Sequence, residues 1–108
     1  MSKNKGFSSV SANRYSLALY ELANESNLIE KIEENSSAFL NLVISNNDLN
    51  DLIKNPTVSK EKLINIISKI SENSKLEILF KNFLNFLIVK RRFFFVEQIL
   101  KSFIETCS

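Results

Sequence analysis

Leu76-Glu77-Ile78-Leu79-Phe80-Lys81-Asn82-Phe83-Leu84-Asn85-Phe86-Leu87-Ile88-Val89 carries more apolar surface than one packed helix needs. At about 100° per residue, Leu76, Leu79, Phe80, Phe83, Leu84 and Leu87 share one face, an ordinary core stripe. Ile78, Phe86 and Val89 fall on a neighbouring face, with Asn82 among them. A second apolar stripe on a helix of a small domain has two uses. It covers another part of the same core, or it receives a partner.

Outward from this stretch the chain reads as about six helices. Ser74-Lys75-Leu76-Glu77 has capping-box spacing and predicts the start of the fifth, and Lys90-Arg91-Arg92 ends it, where cations favour the negative end of the helix dipole. The first helix is expected from near Ser11 to Glu25, with Ala12, Tyr15, Ala18, Leu19, Leu22 and Ala23 together. Asn27, with Glu30 three residues on, predicts the cap of a second helix striped by Leu28, Ile32, Ser36, Phe39 and Val43. Asp48 is expected to cap a short third helix carrying Leu49, Leu52 and Ile53, stopped by Lys54-Asn55-Pro56 because the residue before proline is pushed out of the α region. Ser59 reads as the next N-cap, with Val58 and Leu63 placed as a hydrophobic staple, and Ile66, Ile67 and Ile70 continue the fourth helix. The sixth runs from about Phe93 through Val96, Ile99, Leu100, Phe103 and Ile104. Of Phe93-Phe94-Phe95, one ring is expected to start that stripe while the others cover the end of the bundle.

The bulk numbers agree with an all-α class. A chain of 108 residues makes one domain, and its 44% hydrophobic and 24% charged content is that of a globular protein. One Gly and one Pro leave too little turn punctuation for a hairpin-rich β fold. No run reaches the ~18 apolar residues of a membrane span, because Asn82, Asn85 and Lys90 interrupt the richest one. Residues 1–10, with Lys3, Lys5 and several serines, lack the apolar stretch of a secretory signal and are expected to form a flexible tail before a domain over 11–108.

Catalytic chemistry is hard to assemble from this inventory. The chain has no His, the commonest general base and zinc ligand, so Cys107 has no imidazole to activate it and no metal or cofactor site is expected. A single Cys fits a reducing compartment. Glu33-Glu34 reads as a solvated helix face, and the lone Gly6 cannot build a phosphate loop. The net charge of +2 is scattered apart from Lys90-Arg91-Arg92, unlike the clustered basic face of a nucleic-acid binder.

Three segments carry a resemblance. Asn13-Arg14-Tyr15-Ser16-Leu17-Ala18-Leu19-Tyr20-Glu21-Leu22-Ala23 resembles the opening helix of the ATP synthase delta subunit family, called OSCP in mitochondria. Leu52-Ile53-Lys54-Asn55-Pro56-Thr57-Val58-Ser59-Lys60-Glu61-Lys62 is similar to that family's Asn-Pro segment with its Ser-capped helix start. Asn82-Phe83-Leu84-Asn85-Phe86-Leu87, followed by Arg92, resembles a third signature, in the family's order, and Ile99 and Phe103 match the helix after it. Lys90-Arg91 departs from the pattern, since relatives often place Asn or Gly in that turn.

The resemblance implies a six-helix bundle on top of the F1 head, a non-catalytic stator subunit. It implies a groove between the first and fifth helices that takes the N-terminal helix of an alpha subunit, with Tyr15, Ala18, Leu19, Leu22, Asn82, Phe83, Phe86 and Val89 as its residues. Tyr15, Leu19, Leu22, Phe83 and Leu87 also read as core residues, and Phe86, Val89 and Ala18 fit either role. The b subunit of the peripheral stalk is implied as a partner only through a C-terminal part beyond these 108 residues. The implied setting is the cytoplasmic face of the bacterial inner membrane, as a peripheral subunit with no membrane insertion, nucleic acid or small-molecule substrate. Two other readings stay open at this point. One is an RNA-binding antitermination factor of the NusB kind, echoed by Leu17-Ala18-Leu19-Tyr20; the other is a generic helical adaptor.

Overall fold

The computed structural model describes the backbone of residues 2–107 and the side chains of residues 10–107. Six α-helices follow one another: α1 (Ser2–Glu25), α2 (Ile29–Ser45), α3 (Asn47–Lys54), α4 (Lys60–Ser74), α5 (Ile78–Val89) and α6 (Val96–Cys107), with a 3₁₀ turn over Phe93–Phe95 leading into α6. No strand occurs among the described residues. α1 begins at Ser2 rather than near Ser11, so the described backbone of the expected tail continues the first helix, while of its side chains only that of Val10 is described.

Three helix ends are built by non-glycine residues in the left-handed region, Asn27 (φ 58°), Lys75 (φ 54°) and Arg91 (φ 60°). After α1, the Leu28 amide donates to the Ala23 carbonyl at 2.8 Å and the Asn27 amide to Asn24 at 3.1 Å, the paired bonds of a Schellman motif. After α4, the Leu76 amide reaches the Ser71 carbonyl at 3.0 Å. After α5, the Arg92 amide reaches Leu87 at 2.8 Å and the Arg91 amide reaches Ile88 at 3.1 Å. A chain with a single Gly turns its corners with these three residues instead, at the steric cost a Cβ pays for positive φ.

These ends correct three expected caps. Asn27 closes α1 rather than opening α2, because its tolerance of the left-handed region serves a C-terminal turn as well as its side chain serves an N-cap. Ser74 is the last residue of α4, not the start of α5; Asn35 of α2 supplies the missing acceptor, taking the Glu77 amide at 2.8 Å. The cap of α3 is Asn46, whose Oδ1 accepts from the Leu49 amide at 3.1 Å, while Asp48 sits inside the first turn. Ser59 caps α4 as expected, accepting from the Lys62 amide at 3.1 Å. Asn55, ahead of Pro56, adopts an extended backbone and ends α3.

The core gathers one face from every helix. Buried Phe80, Phe83, Leu84, Leu87 and Ile88 of α5 meet Ile32, Phe39 and Val43 of α2, and Val96, Ile99, Leu100 and Phe103 of α6 fill the other side. The Phe39 ring meets Phe80 edge-on at 6.2 Å and Phe93 at 6.4 Å. Phe93 is therefore the ring that starts the α6 stripe, while Phe95 is half-buried and Phe94 exposed. Ser36 is buried among these side chains and donates to the Ile32 carbonyl at 2.8 Å, which removes the cost of its hydroxyl there.

The inward face of α1 is rotated from expectation. Ala12, Ser16, Leu19 and Ala23 are buried, whereas Ala18 and Leu22 are exposed. α6 lies along α1, and small polar side chains stitch that seam. The Ser16 and Ser102 hydroxyls are 3.0 Å apart, and Ser102 donates to Asn13 Oδ1 at 2.9 Å. Because α6 takes this face, α1 touches α5 only lightly, with Tyr15 meeting Phe86, and Ala18 and Leu22 face solvent.

Candidate partner-binding groove

The flank where α1 and α5 meet lightly is apolar and open. On α5, Ile78 (75% exposed), Phe86 (43%) and Val89 (53%) face solvent together with Asn82. Their spacing of four, four and three residues keeps them on one side of the helix, over a length of about 16 Å. This is the second stripe read from the sequence, and it is not taken up by the core. On α1, Leu22 is 46% exposed, Ala18 is exposed and Tyr15 is half-buried.

One aromatic contact joins the two walls. The rings of Tyr15 and Phe86 stand 6.1 Å apart at 60°, a tilted pair. Lys90, at the end of α5, holds its Nζ 5.8 Å from the centre of the Phe86 ring. Phe86 is thus pinned by Tyr15 on one side and an ammonium on another, yet keeps much of its surface toward water. Lys90 belongs to this site, although the sequence reading placed it only as a dipole-compensating end residue; nothing in helical periodicity signals a cation curling back over a ring four residues earlier.

Of the eight side chains expected to line the groove, six are accessible: Tyr15, Ala18, Leu22, Asn82, Phe86 and Val89. Leu19 (0% exposed) and Phe83 (4%) point the other way, into the core, and support the walls from beneath. Their burial matches the core role also open to them. Leu22 differs from its expected core role, because the rotation of α1 toward α6 turns it outward. Ile78 is the accessible apolar residue that the eight left out.

Chemically the groove can do one thing well. It offers apolar side chains, one amide and charged rims, and it holds no pair of groups set for proton transfer. Cys107, the one thiol, lies on α6, where burial and then the Glu33 carboxylate push its pKa up, keeping it protonated. An apolar helix face laid against α1 and α5 at i, i+3, i+4 and i+7 would cover the exposed strip.

The echo of an RNA-binding factor in Leu17-Ala18-Leu19-Tyr20 does not build a nucleic-acid surface. Leu19 is in the core and the Tyr20 ring packs against Phe103 at 6.5 Å. Comparison with known sequences points elsewhere. The chain is 60% identical over 108 residues to the ATP synthase subunit delta of Pelagibacter ubique, covering 100% of this chain and 58% of that one. It is 38% identical over 81 residues to the subunit delta of Magnetococcus marinus, covering 75% of this chain and 44% of the relative. It is 33% identical over 93 residues to that of Trichormus variabilis, covering 86% and 50%. The chain thus spans about half the length of the relatives it matches. The profile of the family described as ATP synthase delta (OSCP) subunit matches residues 11–108, which takes in all three signature segments and both walls of the groove, and this chain belongs to that family.

Proposed function

We propose that this chain is the F1-facing helical domain of a non-catalytic stator subunit of an F1Fo ATP synthase, and that the groove between α1 and α5 holds the N-terminal helix of an alpha subunit. The observation that carries this reading is the exposed strip of Ile78, Phe86, Val89 and Leu22 around the Tyr15–Phe86 pair. An apolar strip of this kind on a small domain is costly in water and gains its free energy when covered. Several hundred Å² of apolar burial at ~25 cal/mol per Å² is many kcal/mol before the costs of association. A stator joint resists torque without performing chemistry, and an apolar helix-in-groove contact suits that task. Contact with the b subunit of the peripheral stalk is assigned to sequence outside these 108 residues, and the location to the cytoplasmic face of a bacterial inner membrane. No helix among the described residues is long and apolar enough to cross that membrane.

The test is a titration of isotope-labelled protein with the N-terminal peptide of the alpha subunit from the same genome, followed by amide chemical shifts. Changes concentrated on α1 and α5 are expected. A peptide that perturbs only α3 and α4, or nothing, would overturn the assignment.

A further inference from the structure

Phe94 is a large apolar group left in water outside the groove between α1 and α5. Phe93 enters the core and Phe95 is half-buried, while Phe94, between them on the 3₁₀ turn, is 52% exposed. Its ring is held in place, edge-on to Phe95 at 5.4 Å and 70°. The turn touches α3, whose last residue is Lys54. Beside the two rings lies a hollow of about 410 Å³, lined by Lys54, Phe94 and Phe95 together with Glu97, Gln98 and Lys101 of α6.

The charge around this hollow is positive. Glu97 is its one carboxylate, and Lys101 holds it at 3.1 Å, so that pair is neutral. Lys54 is exposed and in no ion pair among the described residues. It closes α3, whose negative end offsets only about half a charge. Arg91 and Arg92 directly precede the three rings, and Arg91 is exposed. An aromatic wall, an amide and surplus cations around a concavity match a chain segment that carries carboxylates beside an apolar side chain. One exposed ring beside a polar hollow lacks the broad apolar face that lies in a membrane interface.

We propose that this hollow docks an acidic segment of another subunit of the assembled ATP synthase, with an apolar side chain against Phe94 and Phe95 and carboxylates toward Lys54 and Arg91. The choice of partner rests on the reading of the chain as a stator subunit; the groove plays no part in it. At 52% exposure of roughly 200 Å², Phe94 offers about 100 Å² for adhesion. The cations select an acidic segment over a basic one.

A photo-cross-linker tests this, with Phe94 replaced by p-benzoylphenylalanine in the full-length subunit, assembled into the ATP synthase of the same genome. Positions 54 and 94 are exposed, so changes there leave the core intact. Irradiation is expected to join position 94 to a segment of another subunit in which Asp and Glu outnumber Lys and Arg. Lys54→Glu in the same protein is expected to lower the yield about fivefold at low ionic strength, with the difference shrinking at high salt. A cross-link to phospholipid, to nucleic acid, to a second copy of the subunit or to a neutral or basic segment would overturn the proposal, as would no cross-link or a yield indifferent to Lys54→Glu. In each of those cases the stator reading stands, because the subunit has joined the enzyme. An unaltered subunit that does not join the enzyme would overturn the stator reading and this docking face together.

Discussion

Phe86→Asp separates a docking surface from a core. Phe86 is 43% exposed in the free domain. A Phe side chain offers roughly 200 Å², so about 85 Å² is left for a guest to cover. At ~25 cal/mol per Å² that surface is worth about 2 kcal/mol, or roughly a thirtyfold change in affinity. The carboxylate of the variant can pair with Lys90, which offsets part of its desolvation, so a weakening of at least tenfold is expected. The fold loses the Tyr15 ring contact, about 0.5–1.5 kcal/mol, and the Lys90 contact, about 0.5–1 kcal/mol. Both together are small beside the roughly 5–15 kcal/mol that keeps a domain folded. Calorimetric titration with the alpha-subunit peptide and a thermal melt of the free protein read the two quantities separately. A variant that unfolds would mean Phe86 is core, and a folded variant with unchanged affinity would mean the guest sits elsewhere; either result refutes the reasoning.

Four further outcomes follow from the packing and the helix ends. Phe80→Ala, at a fully buried ring set edge-on to Phe39, is expected to cost about 3–5 kcal/mol in urea denaturation. Arg91→Gly, which relieves a positive φ, is expected to raise stability by about 0.5–1 kcal/mol at unchanged denaturant sensitivity. Asn46→Ala is expected to cost about 1 kcal/mol and Asp48→Ala much less, because only the former removes the acceptor of the Leu49 amide. Cys107 is expected to react with iodoacetamide more slowly than a free thiol near pH 8.5. Its raised pKa means the folded state keeps the proton there, so folded-state stability from this group falls as pH climbs past the unfolded thiol's pKa; Glu33→Gln speeds the alkylation by removing the secondary cause of the shift.

The helical class was legible because periodicity is strong and turn residues are scarce. The two stripes on Leu76–Val89 separated in space: Phe80, Phe83, Leu84 and Leu87 went inward, with Leu76 and Leu79 half-buried beside them, Ile78, Phe86 and Val89 stayed outside, and Ile88, in neither stripe, joined the core. Pro56 and Ser59 marked their boundary correctly because each acts through its own backbone and its nearest neighbours. The misplaced caps at Asn27 and Ser74 have one cause. The helix-ending turns there use Asn27 and Lys75 at positive φ, and neither advertises a left-handed turn as Gly would.

What the chain determined by itself is which residues share a side of each helix, since that depends only on the geometry of one turn and the polarity of each side chain. Which of two candidate sides faces inward was decided by neighbours. Asn13, Ser16 and Tyr20 meet Ser102 and Phe103 of α6, and with that side of α1 turned inward Leu22 and Ala18 face the solvent. The Asn35 acceptor at the start of α5 lies 42 residues away from its donor, and the Tyr15–Phe86 contact spans α1 and α5. No local rule reaches across such distances, so the exposure of Ile78, Phe86 and Val89 beside Tyr15 is a property of how six helices pack rather than of any one of them.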